Sequence, residues 1–115
     1  MTASYSDLQD KVVLVTGGGS GIGEAIVREF ARQRARVAFL DIAVAPSRKL
    51  AAELQASGSA VHFLPCDLTD FEALRAAFAA AKNQWGPIQV LINNAASDER
   101  HATEAIRPRN LRYWG

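Results

Sequence analysis

Cysteine is almost absent from this chain: Cys66 is alone among 115 residues. One thiol excludes an internal disulfide, a Cys-x-x-Cys redox pair and a cysteine-rich zinc site. A chain without disulfides suits a reducing compartment, and the cytoplasm is the expected location. An excess of one charge is missing too. Thirteen basic residues against twelve acidic ones leave +1, which gives no electrostatic footing for nucleic acid or an anionic membrane surface. Long apolar runs are lacking, and the strand-sized runs present fall short of the roughly 20 residues a spanning helix needs. Residues 1–10 carry neither the basic nor the apolar region of a signal peptide. Histidine is scarce, and neither His62 nor His101 has a second ligand at metal-binding spacing. Apolar residues are not scarce: 49% of the chain supports a core, and the length suits one domain.

The apolar residues are grouped by two periods. Lys11–Thr16, Arg36–Asp41, Ala60–Leu64 and Ile88–Asn93 are short, β-branched or apolar runs that read as buried strands. Between them the period lengthens. Ile22, Ile26 and Phe30 predict a helix from Gly21 to about Gln33 with those residues inward. Ser47 to Ser57 predicts a second helix, stopped by Gly58 in the C′ position. Thr69-Asp-Phe-Glu72 has the form of a capping box with Thr69 as N-cap. It opens a third helix with Phe71, Leu74, Phe78, Ala81 and Trp85 in one stripe, ended by Gly86-Pro87. The pattern is βαβαβαβ: an α/β chain with parallel strands, right-handed crossovers and helices on both faces. Residues 1–10 read as an extension, 11–96 as the α/β unit, and 97–115 as a polar tail without clean period.

Five of the residues 16–23, Thr-Gly-Gly-Gly-Ser-Gly-Ile-Gly, are glycine, and they follow a strand and open a helix. Helix N-termini carry unpaired N–H groups and the positive end of the dipole, so this arrangement is an anion seat. A nucleotide P-loop is excluded, because Glu24 stands where G-x-x-x-x-G-K requires lysine. The strict G-x-G-x-x-G spacing is absent as well, whereas Gly17-x-x-x-Gly21-x-Gly23 is present. Asp41 ends the second strand, 20 positions after Gly21. An acid there accepts hydrogen bonds from ribose hydroxyls and repels a 2′-phosphate. Ile42 and Ala43 follow it, with no adjacent arginine, so NAD is expected over NADP.

Three motifs together resemble the classical short-chain dehydrogenase/reductase family. Thr16–Gly23 is similar to its T-G-x-x-x-G-x-G cofactor motif, Asp67-Leu68 to its D-[VL] element, and Asn93-Asn94-Ala95-Ala96 to its N-N-A-G motif, with Ala96 replacing glycine. The resemblance covers residues 11–96 and implies a Rossmann-like doubly wound parallel sheet, seen here as its N-terminal portion. It implies a nicotinamide dinucleotide held by Gly17, Gly19, Ser20, Gly21, Ile22, Gly23, Asp41, Asp67, Leu68, Asn94, Ala95 and Ala96. It further implies hydride transfer with a small carbonyl or alcohol substrate, and homo-oligomers for the full-length family. The loop Ser97–His101 resembles that of members oxidising aldoses at C1, so a sugar is an expected substrate.

The family's acid/base apparatus has no counterpart among these residues. No Tyr-x-x-x-Lys occurs: Tyr5 is followed four positions later by Gln9, and Tyr113 stands two from the end. Asn110 follows Asn93 too soon for an intervening helix, so the family asparagine's role is not carried over. No catalytic residue is assigned, and three readings stay open: the cofactor-binding half of a dehydrogenase, a non-catalytic NAD-binding fragment, or a structural or interaction protein that reuses the scaffold. Cys66 and His62 read as a small buried thiol and a structural histidine.

Overall fold

The four apolar runs pair as a single sheet. In the computed structural model, which describes residues 8–19 and 21–94, the strands are β1 (Val12–Thr16), β2 (Arg36–Asp41), β3 (Val61–Pro65) and β4 (Val90–Asn93). They alternate with α1 (Gly21–Arg32), α2 (Val44–Ala56) and α3 (Phe71–Trp85). All pairings are parallel, in the order β3-β2-β1-β4. The chain steps outward from β1 through β2 to β3, then returns to the opposite side of β1. That reversal makes a crevice at the carboxyl ends of β1 and β4, where open α/β sheets bind ligands.

Alternate residues of a strand point to opposite faces, and both faces here are covered. Val13, Val15, Val37 and Phe39 pack with Val27 and Ala31 of α1 and Leu50 and Ala51 of α2. Leu14, Ala38 and Leu40 pack with Cys66 and with Ala77 and Ala81 of α3. β1 is buried along its whole length, whereas β4 is half-buried throughout. Double-sided burial explains why β1 and β2 read as continuous apolar runs. Phe39 and Phe63 stack with centroids 5.3 Å apart, and His62 meets the edge of Trp85 at 6.3 Å.

The helices differ from expectation in detail. The inward face of α1 is Gly23, Val27 and Ala31, with Ile26 and Phe30 at its flanks and Ile22 72% exposed. Small residues at the contact bring the helix close to the sheet and turn the larger Ile22–Phe30 stripe aside. In α3, Ala77 and Ala81 are the buried residues, and Phe71 is 67% exposed. Its N-cap is Asp70, whose carboxylate accepts from the N–H groups of Glu72 at 3.1 Å and Ala73 at 3.2 Å. Thr69 is diverted, because its hydroxyl donates to Asp67 Oδ1 at 2.7 Å. α2 begins at Val44, three residues before Ser47, with Ala43 as an N-cap lacking any side-chain bond. Gly58 (φ +92°) follows the C-cap Ser57, as a C′ glycine should.

Candidate cofactor site

The glycine-rich segment turns at the carboxyl end of β1, the most buried strand. Gly17 N–H donates to the Leu40 carbonyl at 2.6 Å, which fastens the turn to β2. On the other side, Asn94 Nδ2 donates to the Gly17 carbonyl at 3.1 Å, and Thr16 Oγ1 donates to Asn93 Oδ1 at 3.0 Å. The two asparagines thus hold β4 and the turn together.

The glycines do different things. A Cβ at Gly23 would collide with the Gly17 carbonyl oxygen and stand 2.9 Å from Asn94 Nδ2. A Cβ at Gly18 would lie 2.7 Å from Phe39 Cβ and 2.8 Å from a Val27 methyl. At Gly19 it would run into Ser47 Oγ and come within 2.8 Å of Asp41 Oδ2. These three are closed off by protein. Gly21 is the reverse: with φ +59° and nothing within 4 Å of a Cβ, it opens outward at the start of α1. Open space in front of unpaired helix N–H groups fits a pyrophosphate.

Asp41 stands beside this opening. Its Oδ2 accepts from Gly19 N–H and its Oδ1 from Ala43 N–H, both at 2.8 Å. The carboxylate is therefore aimed by backbone and half-exposed. Asp67 is exposed, and bonds from the Thr69 hydroxyl and N–H hold its carboxyl below the usual carboxylate range. Leu68 packs against the α3 side of the core, and Ile22 projects from the first turn of α1. Of the expected cofactor-facing residues, Gly17, Gly19, Gly21, Ile22, Gly23, Asp41, Asp67, Leu68 and Asn94 thus lie along the carboxyl edge of the sheet. Ser20, Ala95 and Ala96 lie outside the described residues. Among the described residues no group of three or more His, Cys, Asp or Glu could hold a metal ion, and no helix is long and apolar enough to cross a membrane.

A model of the short chain dehydrogenase family matches residues 11–112. The chain belongs to that family. The chain is 52% identical over 106 residues to a probable galactose dehydrogenase of Rhizobium meliloti, covering 91% of this chain and 41% of that protein. It is 48% identical over 100 residues to a D-xylose 1-dehydrogenase of Caulobacter vibrioides, covering 87% and 39% respectively. The chain thus spans about two fifths of the length of these curated relatives. A solved short-chain dehydrogenase/reductase from Serratia marcescens superposes with a TM-score of 0.72 at 38% identity, over 76% of this chain and 36% of that one. The F189W actinorhodin polyketide ketoreductase, solved with NADPH, gives 0.70 at 32% identity, over 80% and 34%.

Two further features of the site have no motif in the sequence. A cleft of about 330 Å³ opens between α1 and α2, bordered by Gly19, Arg28, Pro46, Lys49 and Glu53. Across it Arg28 makes a bidentate pair with Glu53 at 2.6 and 2.9 Å and bonds Glu24 at 2.9 Å. The Glu24–Arg28 spacing of four is visible in one helix, but the partner in α2 lies 25 positions away and leaves no local signal. The second feature is Ser47, fully buried beneath Gly19.

Proposed function

We propose that this chain is the cofactor-binding portion of a nicotinamide-dependent sugar dehydrogenase that uses NAD in preference to NADP, with residues 11–96 as the dinucleotide-binding unit. The observation that carries this reading is the Asp41 carboxylate, aimed by Gly19 and Ala43 at the end of β2. A carboxylate there accepts from a ribose diol and repels a 2′-phosphate. The ketoreductase was solved with NADPH, so the fold does not exclude the phosphorylated dinucleotide and the choice falls to local charge. The two sugar-dehydrogenase relatives support an aldose as substrate.

In this reading the N–H groups at the start of α1 hold the pyrophosphate, with Gly21 leaving room for it. Ile22 and Leu68 offer apolar contact on either side of the edge, and Asn94 keeps the turn closed from beneath. A nicotinamide held there would supply a hydride acceptor for an alcohol carbon. The proton released needs a base that these residues do not supply. The compartment is the cytoplasm, where the lone thiol stays reduced, and the working form is a homo-oligomer.

Calorimetric titration of the chain with NAD and NADP is the test. Tighter binding of NAD supports the reading, and equal or tighter binding of NADP refutes the role given to Asp41. Galactose- or xylose-dependent reduction of NAD supports the dehydrogenase. Binding without turnover favours the second reading, a non-catalytic NAD-binding fragment, which the missing Tyr-x-x-x-Lys motivates.

A further inference from the structure

Among the described residues, Ser47 Oγ is a buried side-chain oxygen with no hydrogen-bond partner, on a residue with 0% exposure. Helix α2 does not require it. Ser47 lies one turn inside the helix, where its own N–H already reaches the Ala43 carbonyl at 3.3 Å. Burying an unpaired hydroxyl is unfavourable, and alanine would fill nearly the same space without that penalty. The hydroxyl also lies close to the acid. A Cβ built at Gly19 would meet both Ser47 Oγ and Asp41 Oδ2, so the two oxygens border the same point beside Gly19.

Among the described residues, the donors to Asp41 are backbone groups, one N–H on each oxygen. An ionised carboxylate has roughly four acceptor sites, so capacity remains. A ligand that loads Oδ2 from the open side competes with the Gly19 N–H for that oxygen. Rotation about χ1 brings a serine hydroxyl to a new partner without moving the helix that carries it.

We propose that Ser47 is a positioning residue for Asp41: its hydroxyl is the reserve donor that turns to Asp41 Oδ2 when a vicinal diol, the chemistry of a ribose, occupies the carboxylate. The unpaired state in the ligand-free protein is then a cost recovered on binding. It also explains why position 19 carries no side chain, since a Cβ there would crowd both oxygens. The inference rests on the diol-binding role proposed above for Asp41.

The test titrates the full chain with NAD and records thermal unfolding without ligand, for wild type, S47A, D41A and the double variant. S47A should unfold at the same or a higher temperature than wild type, yet bind NAD about three- to tenfold more weakly. In the D41A background the same change should weaken binding no further. S47C, with a weak donor of similar shape, should fall between, and it serves as the probe if S47A does not fold. Equal NAD affinity for S47A and a binding-competent wild type overturns this inference alone. So does an undiminished S47A effect in the D41A background, which marks a purely structural role. Wild type that binds no NAD overturns the reading of Asp41 and this inference with it.

Discussion

Replacing Gly23 by alanine sets two physical effects against each other with opposite signs. Gly23 lies inside α1, and at an ordinary helix position the change stabilises by about 1 kcal/mol. Here the added methyl meets the Gly17 carbonyl oxygen and Asn94 Nδ2. Backbone cannot rotate aside as a side chain can, so either α1 lifts from β1 or the turn moves. Overpacking of this kind costs about 1–3 kcal/mol. Moving Gly17 also strains its bonds to Leu40 and from Asn94, each worth about 1 kcal/mol. The clash wins, leaving a net loss of about 2 kcal/mol. For a domain of this size that lowers the midpoint by roughly 8–16 °C. Thermal unfolding of G23A, N94A and the double variant reads it directly. The two changes should be strongly non-additive, because both act on the Gly17 carbonyl. A G23A midpoint at or above the wild-type value would refute the reasoning, since helix propensity would then have decided the outcome.

Three further outcomes follow from the geometry. Asp41→Ala should weaken NAD binding by roughly 10- to 150-fold, the range for losing a hydrogen bond to a charged group, and should narrow the preference over NADP in the same titration. The Arg28 guanidinium holds the Glu53 carboxyl below the usual carboxylate range; a depressed folded-state value stabilises above that range and the benefit is lost as pH falls through it. Urea unfolding from neutral to acid pH should therefore show a shallower decline for Arg28→Met than for wild type, with the difference shrinking at high salt. Burial pushes the Cys66 thiol up, helped by the Asp67 and Asp70 carboxylates, so alkylation by iodoacetamide at neutral pH should wait for unfolding; fast labelling of the native chain would contradict the packing against Leu14 and Leu40.

What the sequence disclosed depended on how local the cause was. Strand runs such as Val12–Thr16 were legible because burial on both faces leaves a continuous apolar signature. The turn was legible because its glycines all stand within residues 16–23, and Asp41 because it closes the second strand run. Helix faces were less so. Ile22 looked like core because it continues the Ile26–Phe30 stripe, but close contact with the sheet selects Gly23, Val27 and Ala31. The α3 cap shifted from Thr69 to Asp70 because Asp67 competes for the Thr69 hydroxyl, a choice between neighbours that periodicity does not resolve. Ser47 and the Arg28–Glu53 pair were invisible for a different reason: each acquires its meaning from a residue more than 20 positions away.

The placement of β4 beside β1 has a consequence for how the molecule comes into being. The bonds from Thr16 to Asn93 and from Asn94 to Gly17 join residues 77 positions apart. During synthesis at about 5–20 residues per second, the first strand waits roughly 4–15 s for its second neighbour to be made. Through that interval β1, the most apolar strand, can be paired only on its β2 side. The turn at Gly17 meanwhile lacks the asparagine that closes it from beneath. The nascent chain therefore passes through a stage in which its sheet has begun and its anion seat has not yet been secured.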